Sequence, residues 1–145
     1  MMREGIVAGA VAGVVSGAPS TVHAMLTGGD PLAATEAAGS MVLPNETSRT
    51  KLILAAIPVH GVISLGWGVV LAKVLPRKRS ILWGAAAGGA IAALDLGVFG
   101  GRFPRIRQLP AAPQVLDHIL YGAVAGALLR RLATDPGLPD RRRRR

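Results

Sequence analysis

Cysteine is absent from the 145 residues, which removes disulfide frameworks, thiolate zinc sites and cysteine nucleophiles together. Aromatic residues are scarce, at two Phe, two Trp and one Tyr, and charged residues make up only 17%. A soluble domain carries charge on about a quarter of its residues and fills its core with Leu, Ile, Val and Phe. Here half of the chain is hydrophobic, much of it Ala, Val and Leu, with 19 Gly besides, and mean hydropathy is +0.42. Low hydrophobicity is what keeps chains disordered, so that class is excluded along with the soluble one. The composition is that of a small integral membrane protein.

The chain is strongly basic, with a net charge of +9 and a pI near 11.6. The placement of that charge argues against nucleic acid as a partner. Five of the positive charges are the terminal run Arg141, Arg142, Arg143, Arg144 and Arg145, and most others flank apolar stretches. Nucleic-acid readers set a basic face beside aromatic or polar side chains that reach bases, and the five aromatics here lie within or beside apolar segments. Membrane topology accounts for the charge better.

A bilayer core about 30 Å thick needs roughly 20 apolar residues of helix. Four segments qualify, at about 5–26, 52–75, 81–100 and 115–132. The last is the weakest, with Asp117 and His118 near its start and Arg130 and Arg131 near its end. The expected fold is therefore all-α, a transmembrane four-helix bundle in one domain over 1–132, followed by a disordered basic tail over 133–145. Positive charge orients it. With both termini cytoplasmic, the inner side takes Arg3, Lys73, Arg77, Lys78, Arg79, Arg130, Arg131 and the tail, and the outer side takes Arg49, Lys51, Arg102, Arg105 and Arg107. That points to multi-pass residence in a cell membrane. A rival for the first span is a cleavable signal peptide ending near Val22-His23-Ala24, although the segment is long for one.

The short basic turn Pro76-Arg77-Lys78-Arg79-Ser80 makes the second and third helices an antiparallel hairpin on this reading. In the first outer loop, Asp30 suits an N-cap and Pro31 a first helical position, so about 31–38 forms a short amphipathic helix ending at Gly39. The second outer loop, Gly101 to Pro113, holds three Pro and three Arg and reads as extended.

Gly5, Gly9, Gly13 and Gly17 recur every four residues and form one ridge along the first helix. The third carries Gly84 and Gly88 with Ala92, and a second ridge through Ala85, Gly89, Ala93 and Gly97; the fourth carries Gly122 and Gly126. Small residues four apart let backbones touch, which is what holds helices together in lipid. Such a glycine zipper serves either packing within one bundle or homo-oligomerisation. Pro19 removes a hydrogen bond and frees the Val15 carbonyl, giving either a simple bend or an unwound corner that lines a site.

Five ionisable residues fall within the apolar spans, His23, His60, Asp95, Asp117 and His118, and all five lie in the outer half on this topology. Asp95 stands out, since a carboxylate in a membrane helix costs about 2.5–3.5 kcal/mol and turns inward or pairs. Its candidate partners are His60, His118 and Arg102. A register-fixing pair and a proton-handling site are both open, because histidine exchanges protons near neutral pH. No two histidines are spaced three or four apart, so neither a metal nor haem is expected, and no cofactor is assigned. HExxH, GxSxG, a Walker lysine loop and a dinucleotide glycine fingerprint are all missing, which argues against an enzyme. Tyr121, four residues beyond Asp117, can bond to it or anchor the interface; Trp67 and Trp83 read as packing residues. The arginine tail suits lipid head groups as well as setting topology.

The strings Ser16-Gly17-Ala18-Pro19-Ser20-Thr21, Asp30-Pro31-Leu32-Ala33-Ala34-Thr35, Leu65-Gly66-Trp67, Leu82-Trp83-Gly84-Ala85-Ala86-Ala87-Gly88, Ala93-Leu94-Asp95-Leu96-Gly97 and Asp117-His118 resemble small multi-pass membrane proteins of high-GC actinobacteria. That resemblance implies a four-helix membrane protein without an assigned activity and carries over no catalytic residue. The expected role is non-enzymatic and structural or accessory, as a subunit or assembly partner in the bilayer, with a second copy or another membrane protein as partner. The alternative is a small proton-coupled or ion-conducting transporter that uses the Asp/His cluster.

Overall fold

The computed structural model describes residues 1–134, so the arginine tail lies outside the described residues. Within them every regular element is a helix, with no strand. The first apolar run is two helices, α1 (Met2–Ser16) and α2 (Ala18–Thr27), joined at Gly17. Pro19 falls in the first turn of α2, where its missing N–H costs nothing. Gly28 ends α2 in the left-handed region at φ 70°, which a residue without a Cβ adopts freely.

α3 (Ala33–Gly39) follows a turn in which Asp30 Oδ1 accepts the Leu32 N–H at 2.9 Å. α4 (Arg49–Val74) is unbroken despite Pro58, and α5 (Ser80–Leu94) runs into a π turn over Asp95–Phe99 and a 3-10 turn over Gly100–Arg102. The connection beyond is not extended, as its prolines suggest, but holds α6 (Pro104–Arg107), with Pro104 opening the helix as a residue lacking an N–H can. α7 (Ala111–Thr134) closes the described chain.

Met2–Thr27, Arg49–Val74 and Ser80–Arg102 are each long and apolar enough to cross a membrane. α7 matches them in length and carries more polar groups, Gln114, Asp117 and His118 early and Arg130 and Arg131 late. The long helices stand in the lateral order α4, α1, α7, α5. The expected hairpin of α4 and α5 is therefore corrected: these neighbours in sequence hardly touch, because α1 packs on α4 and α7 packs on α5 and the pair is held apart. The core between them is thin, built on Ala8, Ala12, Leu71, Ile91, Tyr121 and Ala125. Large apolar side chains face outward instead, with Val14 at 87% and Leu26 at 82% exposed. Such surface suits lipid, where burying apolar groups gains little.

One end of the structure carries the connections around α3 and α6, here the loop end; the other carries Met1, the turn after α4 and Thr134, here the terminal end.

Candidate functional site

Two backbone-to-backbone seams set the frame. A Cβ on Gly5 would lie 2.7 Å from the Val69 Cα, and one on Gly9 would lie 2.5 Å from the Ser64 carbonyl oxygen and 3.1 Å from the Gly68 Cα. A Cβ on Gly13 would meet the Ser64 side chain at 2.7 Å. In the second seam Gly84 meets the Gly122 carbonyl, Gly88 the His118 carbonyl and Gly126 the Ser80 carbonyl. Gly17 takes no part, having nothing within 4 Å of its missing side chain, and neither do Gly89 of α5 and Gly97 of the π turn that follows it.

Where α4 and α5 diverge, toward the loop end, lies a chamber of about 1040 Å³ with α3 across its end. Its walls are mostly apolar, and four of the ionisable residues singled out in the sequence, His60, Asp95, Asp117 and His118, line it. His23 and Arg102 do not; Arg102 is exposed beyond the π turn, so its pairing with Asp95 is corrected in favour of His118.

The break at Gly17 explains two of these side chains. Interrupting the helix deprives its last carbonyls and the next first N–H groups of partners. The Gly13 carbonyl receives the Ser16 hydroxyl at 3.1 Å and His60 Nε2 at 2.9 Å, so the imidazole carries its proton on Nε2. The Ser20 N–H, within the first turn of α2, donates to Asp117 Oδ1 at 2.9 Å. Asp117 thus caps α2 from another helix, where a carboxylate also complements the helix dipole. Gly17, Ala18, Ser20 and Thr21, around Pro19, line the chamber.

His118 is held from both sides. Its Nδ1 lies 2.7 Å from the Gln114 carbonyl, which can only accept, so Nδ1 bears a proton. Its Nε2 lies 3.3 Å from Asp95 Oδ2. A hydrogen bond between them requires one further proton, on Nε2 as an ion pair or on the carboxyl beside a neutral imidazole. Either arrangement is neutral overall, the least costly state for a partly buried pair. Asp95 also opens the π turn, whose extra residue turns the helix locally, as such turns often do beside functional groups.

Tyr121 donates its hydroxyl to the Ser64 carbonyl rather than to Asp117, joining α7 to α4 across the terminal side of the chamber. Below that bond the glycine seams run backbone to backbone. At the loop end, Glu36 of α3 reaches both sides: Arg49 Nε of α4 at 2.9 Å and Arg105 of α6 at 3.8 Å. Arg49 also holds Asp30 at 2.7 Å, and Arg105 donates to the Glu46 carbonyl at 3.0 Å. The Leu32 N–H, then Arg49, hold the Asp30 carboxyl below its ordinary range; the Ser48 N–H, then Lys51, do the same for Glu46. α3 is therefore a latched cover.

The latch and the Ser20–Asp117 bond join residues far apart in sequence, so neither pairing follows from the sequence, although Asp117 and Asp30 stand out there singly. Glu36 gave a signal, an acid within an otherwise apolar short helix. Among the described residues no three His, Asp or Glu side chains gather as a metal set. The chain matches no family model, no curated protein and no solved structure.

Proposed function

We propose that the chain is a non-enzymatic, multi-pass inner-membrane protein with four spans, both termini cytoplasmic and an accessory role, as a subunit or assembly partner. The observation that carries this reading is that the polar chamber is blind. Its polar groups stop at Tyr121 and Ser64, and past them Gly5 and Gly9 press against α4 while Gly84 presses against Gly122. A conducting protein needs a hydrated path through both halves, and contacts at backbone distance leave no room for water. The loop-end cover and the exposed apolar faces are the surfaces on which a partner would assemble.

The second reading, a proton-coupled transporter, draws on the pairing of His118 with Asp95 at 3.3 Å. Proton flux in proteoliposomes under a pH gradient decides between them, wild type against Asp95→Asn, both first shown to be monodisperse. No flux is expected from either protein; flux abolished by the substitution overturns the accessory reading. The natural absence of cysteine makes topology easy to test. Asn45→Cys should react with an impermeant thiol reagent from outside the cell, and Lys78→Cys only after the membrane is opened.

A further inference from the structure

The charges around the chamber do not match the charge of the chain. The sequence holds 17 Lys and Arg against 8 Asp and Glu, yet among the described residues no Lys or Arg lines the chamber. Its ionisable groups are Asp95, Asp117, His60 and His118. Asp95 and His118 face each other at 3.3 Å and serve as each other's partner. His60 commits its Nε2 proton to the Gly13 carbonyl. Asp117 is held by Ser20, whose N–H it accepts at 2.9 Å, and its nearest potential cations are the imidazoles of His60 and His118; among the described residues no Lys or Arg makes a hydrogen bond or ion pair with it. The basic residues nearest the cover, Arg49 and Arg105, are taken up by Asp30, Glu36 and the Glu46 carbonyl. A carboxylate among apolar walls with no permanent cation beside it is costly.

The remaining wall is suited to a large apolar body. Trp67 and Tyr121 border the chamber, and the face of an aromatic ring attracts a cation, most of all one shielded from water. Ile57 and Val14 line the chamber while staying 65% and 87% exposed, so it opens sideways on the apolar surface and not only beneath the cover. A ligand can therefore enter from the bilayer.

We propose that this chamber is a binding site for a lipophilic monocation, an amine or quaternary ammonium carried on an apolar body, with Asp117 as its counter-charge and Trp67 as its aromatic wall. Anionic lipid head groups are disfavoured, since they would set a second negative charge beside Asp117 with no Lys or Arg to receive it. The site is independent of whether the protein conducts protons, so an absence of flux leaves it untouched.

The test uses two probes of one shape and opposite charge, radiolabelled tetraphenylphosphonium and tetraphenylborate, with the full chain in nanodiscs of neutral lipid. Tetraphenylphosphonium is expected to bind saturably at one per chain and tetraphenylborate not to saturate. Asp117→Asn keeps a carbonyl oxygen for the Ser20 N–H, and is expected to weaken the cation about tenfold or more through loss of charge. Trp67→Leu is expected to weaken it about threefold, on the scale of a cation–π contact. Equal binding of the two probes, no saturable binding of the cation, or full affinity in folded Asp117→Asn would overturn the site. If Asp117→Asn does not fold, the contrast between the two probes on the wild type decides by itself.

Discussion

The backbone N–H of Ser20 donates to the carboxylate of Asp117 at 2.9 Å, across 97 positions of sequence. One bond thus ties the broken first span to α7 and fixes the position of a carboxylate on the chamber wall. Removing the side chain should expose both roles. Asp117→Ala is expected to lose about 1 kcal/mol of stability, the usual value of a helix cap. Asp117→Asn, which retains an acceptor, should lose little. Thermal unfolding of the two variants in the same detergent checks this, and equal losses would mean that the bond is not what matters.

Glycines of the same spacing should differ sharply in tolerance. Gly9→Ala places a Cβ 2.5 Å from the Ser64 carbonyl oxygen, so α1 and α4 must separate, at an overpacking cost of about 1–3 kcal/mol. Gly89→Ala meets nothing within 4 Å and should be neutral or stabilising by up to about 1 kcal/mol, the helix-propensity difference. Unfolding midpoints of the two give the comparison. A tolerated Gly9→Ala would show that the seam is looser than its backbone distances.

His118 and Asp95 should behave as a unit. His118→Leu leaves the Asp95 carboxyl without its partner and is expected to cost about 2–3 kcal/mol, on the scale of a lone membrane carboxylate. Adding Asp95→Leu should recover at least about 1 kcal/mol, as contacting residues couple. A double-mutant cycle on unfolding free energy measures the term. Simple additivity would mean that the 3.3 Å pair carries no energy.

The cover at the loop end should loosen in acid. Asp30 and Glu46 have carboxyls lowered from ordinary values of 3.8 and 4.5. A depressed folded value means that their contribution is complete above those ordinary values and is lost as pH falls through the lower folded ones. Hydrogen exchange across 30–52 should therefore stay slow at mildly acid pH and quicken only toward strongly acid pH. Glu36→Gln, which unlinks Arg49 and Arg105, should quicken it at neutral pH as well. Unchanged exchange in Glu36→Gln would show that the cover is held by the packing of Gly39 on Leu52 instead.

Much of the polar site can be read in the sequence because charge inside an apolar run is a local property. His60, Asp95, Asp117 and His118 stand out there, and the structure gathers those four around one chamber. His23 and Arg102 look equally suitable and fall outside it, because one residue along a helix rotates the side chain by about 100° and sequence alone does not say which face is inward. The α4–α5 hairpin failed for a related reason. A short turn brings two helix ends together, but does not make their faces complementary.

Helicity and an apolar surface follow from the sequence by itself, since both depend on residue types counted over one turn or one span. The scarcity of charge, the absence of cysteine and the runs around Ala8, Val62 and Ile91 are enough for them. Which ridge of α5 meets α7 was decided only by the tertiary structure. Gly84-Gly88 and Gly89-Gly97 are alike in composition, yet one is pressed against backbone and the other is open. Between helices in lipid, selection comes from close fit rather than from hiding apolar area. Fit is a property of two surfaces at once. The lateral order α4, α1, α7, α5, the gap it leaves and the bond from Ser20 to Asp117 all follow from that matching of surfaces, which no single span contains.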